Sequence, residues 1–249
     1  MATSKIEAKR RMYATRWARR WMKTYKAIGN DVVKKVRNEG MLAEVREIST
    51  KIINTTFADM YVDVGVAFAK DGVKMMKRSK AEVETDSRWV DDINRFVEEE
   101  CATILISITE TTLAEAQGTI KRIISNGIEQ GLSIEDITGN IIGNFQKEWG
   151  RKAKWMARRI AQTETIRASN YGTKEGVDSL GIPYVKSWLA GYDAKVRETH
   201  LQAQIDNSRI PEDQPFIVGG FECDYPGDPN LPPEESVNCR CSWTAEPVD

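Results

Sequence analysis

One histidine and three cysteines near the end of the sequence have the side chains best suited to do chemistry. His200 is the only histidine of the chain, and Cys223, Cys239 and Cys241 follow it. One imidazole and three thiolates are an accepted ligand set for a structural zinc ion. A chelate by the Cys-x-Cys pair would be tight, and another thiophilic metal is the alternative to zinc. The four residues therefore predict a metal site in which zinc is the leading ion.

Two other interpretations of these residues stay open, because their spacing lacks the paired Cys-x-x-Cys form typical of zinc modules. In the first, His200 hydrogen-bonds to Asp193 or Asp206 and the thiols only pack around it. In the second, His200 and the Cys239/Cys241 pair serve a metal-dependent hydrolase, which requires an open coordination position and a bound water. No sequence feature marks an oxyanion site for such an enzyme.

The segment that holds these residues is rich in turns. Seven of the eight prolines follow residue 210, and the first 182 residues contain none. Tyr184 to Leu189 alternates in polarity as a strand does, whereas prolines and glycines at this density indicate turns and short edge strands. A module this irregular buries little apolar surface for its length. We therefore expect a bound metal ion or a covalent cross-link to stabilise it.

The chain before this module is predicted to be helical. Apolar residues keep a helical period from Met41 to about Lys70, where Asp71-Gly72 is expected to end the helix, and a third helix begins near Ser87. Ile104 to Thr109 is rich in β-branched residues, but its flanks predict a buried helix. Ser133 begins a capping box for a short helix, Ile134 to Phe145, and a longer helix covers about 149–180.

These patterns predict an α+β protein, with long antiparallel helices over about 1–180 followed by a small irregular proline-rich β module. We expect three segments. Residues 1–86 form a basic amino-terminal arm and a helical hairpin, 87–182 form a second helical part, and 183–249 form the β module with the His/Cys cluster.

The last predicted helix carries an unusual run of polar residues. Thr163, Glu164 and Asn170 fit a buried polar ladder that faces neighbouring backbone. A buried carboxylate requires a partner, and either Arg159 or Arg167 is expected to pair with Glu164.

The first helix combines aromatic and basic residues. Twelve Lys/Arg against two acids give residues 1–37 a charge of +10, while the whole chain has −1. The aromatic stripe either packs inside the chain or docks on another protein, and the basic residues are candidates for contact with nucleic-acid phosphates. The stripe is Tyr13, Trp17, Trp21 and Tyr25, and the basic candidates are Arg10, Arg11, Arg16, Arg19, Arg20 and Lys23.

Composition limits the setting of the protein. No stretch approaches the roughly 20 apolar residues of a membrane span, and Met1 to Lys9 has no apolar signal core. Four cysteines are too few for a secreted disulfide scaffold. We therefore expect a protein made and kept in a cytosol.

A series of short motifs in fixed order resembles the phage Mu F-like head morphogenesis family of minor head proteins, from about Ala102 to Trp243. The series contains Ile-Ala-x-Thr-Glu-Thr with a downstream Asn, Lys-x-Trp-Leu-Ala, Asp193, Arg197, His200, Pro215-Phe216, Gly219-Gly220, Tyr225-Pro-Gly-Asp228, Pro232-Pro233-Glu234 and Asn238-Cys239-Arg240-Cys241. The chain departs from the family at Gln162, where relatives often have Arg, and at Cys223, where no family cysteine is expected.

This resemblance implies a non-enzymatic virion component of a tailed bacteriophage, present in few copies and assembled in the host cytoplasm. Its implied partners are the portal protein, the major capsid protein and packaged DNA, and its implied role is head assembly or genome packaging and delivery. The metal-dependent hydrolase and a nucleic-acid-binding helical scaffold remain the alternatives.

Overall fold

The structure is a computed structural model that describes residues 2–38, 43–78, 81–191 and 194–248. Five long helices are followed by strands and short helices, so the predicted α+β class is confirmed. None of the described helices combines the length and the apolarity needed to cross a bilayer. The predicted three-segment division stays a prediction. The helices are α1 (Ala2–Asn38), α2 (Ala43–Met76), α3 (Ser87–Glu99), α4 (Ala102–Glu129), α5 (Ile134–Asp178), α6 (Glu198–Asp206) and α7 (Pro233–Ser236).

Local signals set several helix ends as predicted. Ser133 Oγ accepts the Asp136 amide at 3.1 Å and donates to its carboxylate at 2.7 Å, which caps α5. Asp86 caps α3 by accepting the Arg88 amide. Gly131, with φ +66°, follows the end of α4.

Three predictions about the helices were wrong. Asp71-Gly72 does not end α2, because Gly72 packs against α5: a Cβ there would lie 2.5 Å from the Thr173 carbonyl oxygen. One continuous helix, α5, replaces the two predicted after Ser133, since residues 146–148 contain no helix breaker. Ile106 is 62% exposed and Thr109 is 5% exposed, so the helix over Ile104 to Thr109 is only partly buried.

The β module contains two small antiparallel sheets. The strands are β1 (Tyr184–Leu189), β2 (Ile210–Pro211), β3 (Phe216–Val218), β4 (Phe221–Cys223) and β5 (Ser242–Pro247). The first sheet has the order β2-β1-β5, with Trp188 opposite Trp243, and β3 pairs with β4 in a hairpin. The predicted strand over Tyr184 to Leu189 is confirmed, whereas α6 was not predicted.

Contacts divide the chain into two compact units. The first unit contains Met1–Ala14, Ala58–Cys101 and Gln162–Asp249, and the second contains Thr15–Phe57 and Ala102–Ala161. In the first unit, Phe96 of α3 stacks on Tyr171 of α5 with ring centroids 3.9 Å apart, and it also contacts Tyr61 of α2 and Tyr225 of the β module. This aromatic cluster joins α2, α3, α5 and the β module.

Glycines bring α2 and α5 into backbone contact in the first unit. A Cβ on Gly172 would overlap the Gly65 backbone, and one on Gly176 would overlap the Ala69 backbone. These matched positions also show that α2 and α5 run in the same direction here, whereas Lys9 with Asp71 and Tyr13 with Phe68 set α1 antiparallel to α2. The close approach fixes the part of α5 that carries the polar ladder.

The second unit has its own aromatic core. Phe145 and Trp149 of α5 stack with ring centroids 5.6 Å apart, and Trp149 donates its indole N–H to the Tyr25 carbonyl oxygen at 2.7 Å. Gly29 leaves room for this indole, since a Cβ there would lie 2.5 Å from Trp149 Cδ1. Trp21 lies beside Tyr25 and is fully buried.

Candidate metal centre

Three of the four predicted metal ligands converge in the first unit. The ligand atoms of His200, Cys239 and Cys241 all lie within 4.8 Å of one another, and all three residues are buried. His200 Nδ1 lies 3.1 Å from Cys241 Sγ and 3.7 Å from Cys239 Sγ. Among the described residues, this is the one group of histidine, cysteine and acidic side chains compact enough to hold a metal ion.

These distances are close to those around a single small ion. Tetrahedral zinc, with Zn–S near 2.3 Å and Zn–N near 2.0 Å, holds its ligand atoms about 3.5–3.8 Å apart. The three side chains also line a cavity of about 10 Å³, together with residues of the loops before α6 and β5. Such a space admits about one water-sized sphere and no organic substrate.

The second nitrogen of the histidine has a carboxylate partner. His200 Nε2 lies 2.8 Å from Glu235 Oε2, and Thr199 Oγ1 donates to the same oxygen at 3.0 Å. Carboxylates often accept the distal N–H of a metal-bound imidazole, which fixes its tautomer and orientation. The arrangement leaves Nδ1 facing the two sulfurs.

Local backbone geometry makes this arrangement possible. Gly219 has φ +59°, and a Cβ there would lie 2.6 Å from Glu235 Oε1, so a larger residue would displace the carboxylate. Asn238 has φ +57°, in the left-handed region that asparagine tolerates, immediately before the Cys-x-Cys pair. The Trp188 indole packs edge-on against the His200 ring, with centroids 5.8 Å apart.

The two thiols and the imidazole of the cluster differ in the direction of their pKa shifts. The pKa of Cys239 is held well below its usual range because the Cys241 thiol hydrogen-bonds to it and His200 adds to the effect, despite burial. The pKa of Cys241 is raised, chiefly because its proton is shared with Cys239. Burial alone would lower the pKa of His200, but contacts with Cys239 and Glu235 raise it overall. The lowered pKa of Cys239 favours its thiolate, the form that binds metal.

Two residues fasten the end of the Cys-x-Cys segment to the helices. Asn170 on α5 donates to the carbonyl oxygens of Pro226, at 2.7 Å, and Cys241, at 3.1 Å. Arg10 on α1 donates to the same Cys241 oxygen at 3.1 Å, to Ser169 Oγ at 2.7 Å and to Asn170 Oδ1. The cluster is thus tied to α1 and α5 through one carbonyl group.

The predicted polar ladder on α5 is present in the structure. Arg167 pairs with Glu164 at 2.5 Å, and both side chains are 5% exposed. Tyr61 donates its hydroxyl to Glu164 at 2.7 Å, and Arg167 Nε donates to the Gly227 carbonyl oxygen at 2.6 Å. Arg159, the other candidate partner, instead lies over the Trp155 ring.

The remaining predicted ligands and partners of the cluster lie elsewhere. Cys223 is buried at the end of β4, outside the three-residue cluster, and its role as a ligand stays a prediction. Burial raises the pKa of its thiol. Asp193 lies outside the described residues, and Asp206 accepts a hydrogen bond from Gln202. Glu235 therefore takes the place that the sequence suggested for Asp206.

Glu235 and Arg10 are the site residues that the sequence did not indicate. Glu235 follows two prolines and another glutamate, so nothing marks it locally, and only its approach to His200 identifies it. Arg10 was predicted to meet phosphates but is 4% exposed, and burial lowers its pKa to about 10 against the charges of Cys239 and Cys241. One feature of the sequence could have indicated that Arg10 is buried: it lies on the same side of α1 as the aromatic stripe.

The aromatic stripe of α1 is buried within the chain. Tyr13, Trp17, Trp21 and Tyr25 are at most 9% exposed. Tyr13 contacts Phe68 in the first unit, and the other three belong to the second unit. This burial favours the interpretation that the stripe packs inside the chain, while docking on a partner stays a hypothesis. The other basic candidates are exposed: Arg11, Arg16, Arg19, Arg20 and Lys23.

We expect Trp17→Ala or Trp21→Ala to destabilise the second unit by about 3–5 kcal/mol, because truncating a buried tryptophan removes apolar burial and leaves a cavity. Urea unfolding followed by circular dichroism measures the change. Trp155→Ala, which removes a 59% exposed indole from the same unit, is the matched control and should change stability little. If the Trp17 and Trp21 variants unfold like wild type but are no longer incorporated into particles, the aromatic stripe is instead a docking surface.

Comparison with known proteins assigns the family. The family model described as Phage Mu protein F like protein matches residues 118–244, just over half of the chain, and this range includes the polar ladder and the whole cluster. The chain belongs to this family, which confirms the resemblance seen in the sequence.

A curated relative extends the comparison without adding a function. The chain is 31% identical over 128 residues to an uncharacterized protein, YqbB, of Bacillus subtilis (strain 168). The alignment covers 49% of this chain and 39% of the relative, so the chain spans well under half of that protein. No solved structure is a significant match to the chain.

Proposed function

We propose that the protein is a non-enzymatic minor head protein of a tailed bacteriophage, bound to the portal or the inner capsid and acting in head assembly or in genome packaging and delivery. The observation that carries the proposal is the family match over residues 118–244. Its localisation is the virion, after assembly in the host cytoplasm. Its partners are the portal protein, the major capsid protein or both.

We further propose that the cluster holds a structural zinc ion through His200 Nδ1, Cys239 and Cys241. Support comes from the spacing of the donor atoms and from Glu235 on the distal nitrogen. When bound, zinc would cross-link α6 to the segment before β5. The small cavity argues against the hydrolase alternative, since a hydrolase needs space for its substrate beside the ion.

Virion fractionation tests the assignment as a head protein. We expect quantitative mass spectrometry of purified particles to find the chain in the head fraction, at a ratio to portal protein near or below one. It should be absent from isolated tails, and heads assembled without it should be defective or empty. Its absence from particles, or abundance equal to that of the major capsid protein, would contradict the proposal.

Packaged DNA is a further proposed partner, because five exposed basic residues lie on α1 between Arg11 and Lys23. If they meet phosphates, affinity for duplex DNA should fall steeply between about 50 and 200 mM salt, with little sequence preference. Fluorescence anisotropy of the full chain on two unrelated duplexes measures this dependence. Absent binding, or affinity independent of salt, would remove DNA from the list of partners.

A further inference from the structure

A second site lies in the first unit, away from the His/Cys cluster. A cleft of about 490 Å³ opens between the end of α5, the start of β1 and the loop from β2 to β3. This volume falls in the range of small-molecule sites. Its walls carry the side chains of Lys186, Asp178, Glu212, Asp213 and Asp224.

Lys186 is the unusual residue of the cleft. It lies on the buried face of β1 with Tyr184 and Trp188 and is only 4% exposed. Its Nζ lies 4.8 Å from the centroid of the Phe216 ring, and the residue lines the cleft. Within the described ranges, the structure gives this ammonium no hydrogen bond and no ion pair. Buried charges are almost always paired, so a ligand that supplies a hydrogen-bond acceptor would give the Lys186 ammonium its partner.

The other charges of the cleft are either matched within the protein or open to a ligand. Lys174 pairs with Asp178 at 2.9 Å, and Asp178 also accepts the Tyr184 hydroxyl at 2.7 Å. The carboxylates of three further residues are exposed and form no ion pair in the described part of the chain: Glu212, Asp213 and Asp224. Among the described side chains these acids form no metal-binding group.

The cleft therefore offers one buried cation and three exposed anions. A simple anion would be repelled by the acidic rim, and a simple cation would leave Lys186 without an acceptor. A ligand with one carboxylate and an adjacent cationic side chain satisfies both. Free arginine carries one negative and two positive charges, so its net charge of about +1 complements the excess negative charge of the cleft.

We propose that this cleft binds a carboxylate attached to a basic amino-acid residue, with the carboxylate on Lys186 and the side-chain cation on the acidic rim. The ligand is either free arginine or lysine, or the carboxyl terminus of a peptide that ends in one of them. Burial lowers the pKa of Lys186 and Asp224 opposes the shift, as expected for an ammonium that lacks a direct partner.

Calorimetric titration of the full chain tests this site with three ligands. L-Arginine has the whole charge pattern, N-acetyl-L-arginine mimics a peptide terminus, and agmatine lacks the carboxylate. We expect saturable binding of L-arginine. Agmatine should bind more weakly by about tenfold or more, since the Lys186 ammonium then stays unpaired. Retained binding of N-acetyl-L-arginine would identify a peptide terminus, and its loss would identify the free amino acid.

Lys186→Met removes the charge while keeping most of the length of the side chain, and it should reduce arginine affinity by about tenfold or more. Lys154→Met, at an exposed lysine of the second unit, is the control and should bind as wild type does. The proposal fails if wild type shows no saturable binding, or if Lys186→Met binds arginine equally well. Should that variant not fold, equal affinities of arginine and agmatine for wild type would overturn the proposal.

Discussion

Cys239→Ser and Cys241→Ser are each expected to abolish metal binding and to make residues 183–248 sensitive to protease, while the long helices stay folded. Both sulfurs are buried against His200, and among the described side chains no further histidine, cysteine or carboxylate joins this group. Structural zinc contributes roughly 10–16 kcal/mol in small zinc modules at neutral pH. That is as large as the whole stability of a typical domain, about 5–15 kcal/mol. Limited proteolysis with mass spectrometry measures the change, and circular dichroism follows the helices.

Cys101→Ser is the matched control, because Cys101 is a buried cysteine of the same unit outside the cluster. It should retain the ion and the protease resistance. His200→Ala should behave like the two cluster variants. Cys223→Ser reports on the fourth coordination position: loss of the ion would support Cys223 as a ligand, and retention would exclude it. Wild-type protease resistance of Cys239→Ser and Cys241→Ser would contradict a stabilising ion.

Arg167→Met should destabilise the first unit by about 3–5 kcal/mol, because it leaves the Glu164 carboxylate buried without its cation. The pair is 5% exposed on each side, and Arg167 also donates to the Gly227 carbonyl oxygen of the β module. Burial alone would lower the pKa of Arg167, but the Glu164 charge more than reverses this and raises it. Urea unfolding of the variant and of wild type measures the difference.

The double variant Glu164→Leu with Arg167→Met separates an unpaired charge from simple loss of packing. Replacing a buried ion pair by apolar residues is often nearly neutral, so the double variant should be more stable than Arg167→Met alone. Additive destabilisation by the two substitutions, or an Arg167→Met variant as stable as wild type, would show that the pair is not energetically coupled.

Local signals were sufficient for much of the fold. The Ser133 capping box, the alternation over Tyr184 to Leu189 and the proline-rich composition after residue 210 placed the α5 start, β1 and the β module correctly. They could not show that α5 continues past Phe145 or that Gly72 lies inside α2. Those outcomes depend on which helices pack together, and packing overrides a single glycine whose missing Cβ allows close contact.

Three of the four residues that the sequence proposed as metal ligands come together in the candidate site, whereas their surroundings could not be predicted. Histidine and cysteine are rare in this chain, and the segment that holds His200, Cys239 and Cys241 is expected to need a stabilising cross-link. Their residue types alone therefore mark them as candidate ligands. Glu235 reaches His200 because Gly219 leaves space for its carboxylate, and Arg10 reaches Cys241 across the whole length of the sequence. Both contacts depend on tertiary geometry that no local spacing encodes.

The metal content of the full chain tests the central claim about the cluster most directly. Protein purified without chelator should contain about one equivalent of zinc per chain by elemental analysis, with the same value in Cys101→Ser and none in the Cys239→Ser and Cys241→Ser variants. Wild-type protein without metal, which also takes up none when zinc is added, would contradict the account. His200 would then be a buried histidine held by Glu235 and the two sulfurs.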